Sequence, residues 1–167
     1  PEPGMLPHED VQFQLVDLPP ISPQHPVPWI GSTLQTADAA LLVVDVRYPE
    51  CVEQLTAVRS LLAQKRIVLT ERWDASGEPG SASGKPGSNA ASSAADAPGD
   101  LFVTRLPTLM LANKAEGIAD IVAELRTLRD LTGTLFPAVA VSANTGLGLG
   151  QIGPWLFRGL GVVRVYT

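Results

Sequence analysis

Apolar and polar positions form short blocks along the chain that predict strands and helices in turn. Val11–Asp17 alternates between the two classes and predicts a strand, which runs into a proline-rich loop over about 19–29. Ala39–Asp45 is almost continuously apolar, which predicts a strand buried on both faces. Pro49–Arg66 predicts a helix, because apolar residues recur at helical spacing and glutamates lie in its first turn.

The second half of the chain repeats this alternation. The further predictions are strands at Leu109–Ala112 and Ala138–Val141, helices at Gly117–Leu131 and Leu149–Leu160, and an extended end at Val162–Thr167. Gly133 is expected to stop the first of these helices, and Pro154 to bend or shorten the second. Alternating strands and helices predict an α/β layered domain with a mostly parallel sheet.

The pattern stops between the two halves. Ser76–Gly99 consists almost entirely of Ser, Gly, Ala and Pro, with few charges and no large apolar residue. Such a segment cannot bury enough surface to offset its ordering entropy, so we expect a disordered surface insert over about 74–100.

Composition narrows the choice of partners and compartment. The chain has 167 residues, enough for one domain, and a net charge of −5, which excludes a broad nucleic-acid-binding surface. A single cysteine, Cys51, excludes an internal disulfide and fits a cytoplasmic protein. Apolar runs fall well short of the roughly 20 residues of a membrane helix, so no membrane partner is expected. Because the chain opens at Pro1 without methionine and ends at Thr167 in an apparent strand, we expect a fragment.

Polar residues follow three of the predicted strands in a distinctive order. They are Asp17-Leu18-Pro19-Pro20, then Asn113-Lys114-Ala115-Glu116, then Ser142-Ala143-Asn144 ahead of a glycine-rich turn, Thr145-Gly146-Leu147-Gly148. Each is weak alone, because every one of these short sequences also occurs in ordinary turns. Ligands of open α/β sheets bind at the carboxyl ends of the strands, so the three together predict a binding site.

In this order the three motifs resemble those of translation-factor-class GTPases of the Obg/DRG/HflX group. Asp17–Ile21 resembles the Asp-x-Pro-Gly motif that senses magnesium and the γ-phosphate, and Asn113–Glu116 resembles the Asn-Lys-x-Asp guanine motif. Ser142-Ala143 resembles the motif whose backbone N–H supports guanine O6. The segment from Phe157 onward resembles the approach to a TGS domain, so 162–167 is expected to begin a linker.

The resemblance implies a guanine nucleotide, GTP or GDP, with Mg²⁺ in the full-length parent protein. The nucleotide would be bound by the following residues: Asp17, Asn113, Lys114, Glu116, Ser142, Ala143 and Asn144. Asp17 would also hold the metal, and the catalytic residues stay unassigned. The parent would act as a GTP-dependent switch on the ribosome or ribosomal RNA.

The chemistry of guanine agrees with these roles. Guanine presents two donors, N1–H and N2–H, and the Glu116 carboxylate can accept both at once. Asn113 would tie the loop to its neighbours, and the Lys114 stem would cover the plane of the base.

The sequence also departs from the family pattern. Pro20 stands in place of glycine, Glu116 in place of aspartate, and Ile21 where some GTPases carry a water-orienting glutamine. No Gly-x-x-x-x-Gly-Lys-Ser/Thr run occurs in the sequence. We therefore expect a partial P-loop GTPase-type three-layer fold over 1–167 that lacks the P-loop strand and is inactive alone. The strands beside the gap would close on each other, or pair with another chain in a strand-swapped association.

Two other interpretations remain open. A degenerate GTPase fold kept as a protein-interaction module would explain Pro20, Glu116 and the insert, while the intact Asn113-Lys114 and Ser142-Ala143 pairs weigh against it. A flavodoxin-like or Rossmann-like domain would need a glycine-rich turn after its first strand, for which Asp17–Pro20 is a poor match.

Overall fold

The structure is a computed structural model that describes residues 3–22, 27–73 and 103–163. The strands are β1 (Pro3–His8), β2 (Val11–Val16), β3 (Ala40–Asp45), β4 (Ile67–Thr70), β5 (Thr104–Asn113) and β6 (Ala138–Ala140). The α-helices are α1 (Ile30–Gln35), α2 (Cys51–Gln64), α3 (Ile121–Thr132) and α4 (Ile152–Gly159), with 3₁₀ turns at Ala115–Gly117 and Leu149–Gln151.

The strands form two sheets. β1 and β2 make an antiparallel hairpin, in which Glu9 takes a left-handed conformation at the turn. The other four strands form a parallel sheet built on β5, which pairs with β3 along 108–113, with β4 along 104–107 and with β6 along 110–112. The predicted α/β class with a mostly parallel sheet is confirmed.

Helix ends follow local sequence signals. The Asp120 carboxylate accepts a hydrogen bond from the Ala123 N–H and caps α3, and Gly133 ends that helix in a left-handed conformation, as predicted. Pro154 lies in the first turn of α4, where the helix needs no amide donor, so the proline is tolerated. The segment expected to be one helix is therefore a 3₁₀ turn followed by α4.

β5 lies at the centre of the core. Its residues Leu109, Met110 and Ala112 are completely buried. Leu109 faces a cluster with Phe13 of the hairpin, whereas Met110 and Ala112 face a second cluster beneath α3. Because its side chains are buried on both faces, β5 places its carboxyl end rigidly, and the candidate loop Asn113–Glu116 begins there.

Several sequence predictions need correction. β3 is only partly buried and Val43 is 61% exposed, because among the described strands β3 pairs with β5 alone and lies at a sheet edge. The helix predicted over Gly117–Leu131 begins at Ile121, and its Val122 is 65% exposed, since the buried face of α3 follows Ile121, Leu125 and Leu128. The sequence interpretation also missed β1, β4 and α1. α2 begins after Pro49 and not with it.

Other expectations fall partly outside the described residues. The insert over 74–100 and the end of the chain from residue 164 both lie there. β2 and β3 belong to separate sheets with no ladder between them in the described part of the chain, and the expected closure or strand swapping beside a missing strand stays a prediction. The described residues contain no helix long and apolar enough to cross a membrane.

Candidate functional site

The loop Asn113–Glu116 leaves the carboxyl end of β5 between the ends of β3 and β6. Asp45 is the register partner of Asn113, and the Val46 N–H donates to the Asn113 carbonyl oxygen at 3.3 Å. On the other side, the Ala115 N–H donates to the Val141 carbonyl oxygen at 3.1 Å. The backbone thus holds the loop to both neighbouring strand ends.

The Asn113 side chain makes a further connection to the loop after β6. Its Oδ1 accepts a hydrogen bond from the Ala143 N–H at 3.1 Å. This contact joins the two motifs Asn-Lys-x-Glu and Ser-Ala, which lie far apart in the sequence. It also occupies the Ala143 N–H, so a guanine O6 at this position would have to share that donor.

Lys114 reaches in the opposite direction. Its backbone is left-handed, with φ of +64°, and its Nζ lies 2.5 Å from Oδ2 of Asp45. The contact with Lys114 holds the pKa of the Asp45 carboxyl below its usual value. The Asn113 side chain therefore connects the loop to the segment after β6, and the Lys114 side chain connects it to the end of β3.

Glu116 is exposed in the 3₁₀ turn that follows. Its own backbone N–H and the Ser142 hydroxyl lie close to its carboxylate, with the cations of Arg47 and Lys114 nearby. Together these groups hold the pKa of Glu116 below its usual value, and its own N–H contributes most. The side chain is consequently an anionic acceptor at neutral pH, placed between the two motifs.

Ser142 supports the loop after β6 from inside. The residue is completely buried, and its Oγ accepts a hydrogen bond from the Thr145 N–H at 3.1 Å. The Gly146 N–H donates to the Ser142 carbonyl oxygen at 2.9 Å, and the Leu147 N–H donates to the Thr145 hydroxyl at 3.3 Å. Because these amides are used within the turn, the glycine-rich segment is a structural turn and not a cradle for phosphate.

Asp17 and Asn144 are less closely tied to this cluster. Asp17 follows β2 on the hairpin and is exposed, while its neighbours Leu18 and Ile21 pack into a core cluster with α1. Asn144 is exposed next to Ala143. The structure therefore gathers Asn113, Lys114, Glu116, Ser142 and Ala143, and leaves Asp17 at the end of the separate β1–β2 hairpin.

Two charged residues of the cluster were missed from the sequence. Asp45 is the last residue of β3. The guanidinium of Arg47 lies beside Gly117, since a Cβ added at Gly117 would be 3.5 Å from Nη1 of Arg47. The signal for Asp45 was present in the sequence, because it is an acidic residue at the end of an apolar strand. Its proximity to Lys114 required the strand order, which the sequence does not give.

The described residues contain no group of three or more His, Cys, Asp or Glu side chains able to hold a metal ion. Comparison of the chain with protein-family models, curated proteins and solved structures found no match. The resemblance to Obg/DRG-type GTPases therefore depends on the loop residues alone.

Proposed function

We propose that this chain carries the guanine-reading part of an Obg/DRG-type GTP-binding domain. The observation that supports the proposal best is the hydrogen bond from the Ala143 N–H to Asn113 Oδ1 at 3.1 Å. It brings two distant motifs, both resembling parts of a guanine site, to one edge of the sheet.

The position of Glu116 supports the same proposal. Its carboxylate is exposed, ionised and beside Ser142, so it is available to accept N1–H and N2–H of a guanine base. A carboxylate offers about four acceptor sites, so it has the capacity to accept both donors of a guanine base at once. Adenine presents no matching pair of donors, and we therefore expect selectivity for guanine.

The chain lacks the loop that binds phosphate in such domains. The sequence contains no Gly-x-x-x-x-Gly-Lys-Ser/Thr run, and the turn amides after β6 are engaged within their own loop. The chain alone should therefore bind GDP no tighter than about 1 mM, because the base supplies most of the contacts. Hydrolysis of GTP, the role as a switch in the full-length parent and its ribosomal partner are parts of this proposal that rest on the family resemblance.

Magnesium would enter with the phosphates. This ion keeps much of its water and takes one or two carboxylates together with phosphate oxygens. Asp17 is exposed and lies apart from the gathered loop residues, so its role in holding magnesium through water rests on the family resemblance and would need the phosphates of a bound nucleotide.

A change of base preference tests the proposal. Glu116→Gln replaces one acceptor oxygen by an NH₂ donor, and xanthine carries a carbonyl acceptor where guanine has its amino donor. We expect the variant to lose GMP binding and to bind XMP, while Glu116→Asp keeps the preference for GMP. The proposal would be refuted if Glu116→Gln and the original chain bound GMP with equal affinity. Nuclear magnetic resonance titration of the backbone amides measures all three affinities in the millimolar range.

A further inference from the structure

The Asp45 carboxylate is held in place by its own turn. Its Oδ1 accepts a hydrogen bond from the Arg47 N–H at 3.0 Å, and its carbonyl oxygen accepts one from the Tyr48 N–H at 3.1 Å. The other carboxylate oxygen, Oδ2, points to Lys114 Nζ at 2.5 Å. A carboxylate with one oxygen fixed by the backbone cannot follow a mobile lysine, so it determines where the amine lies.

Without this contact, the Lys114 side chain would be mobile. Its side chain is 54% exposed, and its backbone is left-handed where the chain leaves β5 and enters the 3₁₀ turn. A free lysine at such a position would sample many rotamers, and ordering it costs side-chain entropy. The ion pair removes part of that cost before any ligand arrives.

We propose that Asp45 is a positioning residue for base binding, which holds the Lys114 amine so that the lysine stem is already directed along the base site. The inference rests on the proposed guanine-reading function and adds to it a residue that none of the three motifs contains. The base contacts the lysine stem, and Asp45 acts only through Lys114.

Substitution of each partner, alone and together, tests the inference by amide titration with GMP. Asp45→Asn should weaken GMP binding by about threefold, the size expected for a partly exposed ion pair. Lys114→Met keeps an apolar stem without the amine and should cause a similar loss. The double variant should be no weaker than either single variant, because both remove the same interaction.

The sign of the effect separates positioning from simple electrostatics. Asp45→Asn removes a negative charge, so electrostatics alone would strengthen binding of the anionic GMP. Glu71→Gln serves as the matched control, because it also removes one negative charge from the chain. The Glu71 carboxylate accepts a hydrogen bond from the Leu135 N–H, away from the site. It should leave GMP binding unchanged.

Two results would overturn the inference in different ways. The role of Asp45 would be refuted if the losses of GMP affinity in the two single variants added in the double variant, or if Asp45→Asn bound GMP as the original chain does. In either case, GMP binding by the original chain would still support the proposed function. No GMP binding by the original chain would refute the proposed function and the positioning role together.

Discussion

Replacement of Gly148 by alanine should destabilise the loop that carries Ser142 and Ala143. Gly148 has φ of +71°, and an added Cβ would overlap the carbonyl oxygen of Ala140 and lie 3.1 Å from its carbonyl carbon. Ala140 belongs to β6, so the neighbouring atoms are strand backbone and cannot move aside cheaply. Gly146 provides a matched control in the same turn, with φ of +82° and no atom within 4 Å of an added Cβ.

The two substitutions differ in one physical respect. Both force alanine into a left-handed conformation, which costs about 1–2 kcal/mol. Only Gly148→Ala also displaces packed backbone, which adds about 1–3 kcal/mol. We therefore expect the free energy of unfolding to fall by about 1 kcal/mol for Gly146→Ala and by about 3 kcal/mol for Gly148→Ala.

Urea unfolding followed by tryptophan fluorescence measures both changes by linear extrapolation. A domain of ordinary stability, about 5–15 kcal/mol, would survive either substitution and allow GMP titration as well. GMP binding should weaken in Gly148→Ala, because its loop moves relative to Asn113. Equal costs for the two variants would refute the close approach of Gly148 to β6, and with it the described path of the loop.

Substitutions at three positions, Asn113, Lys114 and Asp120, address other contacts of the site and fold. Asn113→Ala removes the acceptor of the Ala143 N–H, so stability should fall by about 1 kcal/mol and exchange of that amide should accelerate, as hydrogen exchange would show; an unchanged rate would contradict the contact. The pKa of Asp45 is lowered in the folded chain, so its ionised form stabilises the fold at neutral pH and this contribution is lost as pH falls through the lowered pKa. Lys114→Met should raise that pKa in a carboxyl-carbon NMR titration, and no change would count against the ion pair. Asp120→Ala removes the cap of α3 and should cost about 1 kcal/mol in urea unfolding, whereas Asp120→Asn should cost much less.

The sequence predicted those elements whose pattern is local. α3 has an apolar face at helical spacing and a glycine at its end, and both signals are read within the segment itself. The apolar run Leu109–Ala112 predicted only the second half of β5, which begins at Thr104. The first half was missed because it contains Pro107, and proline is rare within strands. β1 was missed for the same reason, since Pro3 and Pro7 lie in an edge strand of a two-stranded hairpin.

Burial was harder to predict than element type. The run at β3 was expected to be covered on both faces, but coverage depends on how many strands flank it. Val43 is exposed because β3 lies at the edge of the described sheet, and no local pattern contains that information. The short β4 was missed because four residues, Ile67–Thr70, carry too little periodicity.

The candidate site shows the same division. Asn113, Glu116 and Ser142 were identified from motifs at strand ends, since the rule that ligands bind there needs only the strand assignment. Asp45 was missed because its role depends on the lateral order of the strands, which places β3 next to β5. Asp17 was grouped with the others by motif order, whereas the structure places it directly after the β1–β2 hairpin, which is a separate sheet.

Backbone-amide titration of the original chain with GMP and, separately, with AMP tests the central claim most directly. We expect GMP at millimolar concentration to shift the amide signals of Lys114, Glu116 and Ala143, and AMP at the same concentration to leave them in place. Equal shifts with both nucleotides, or none with either, would contradict a guanine-reading site at the carboxyl end of β5.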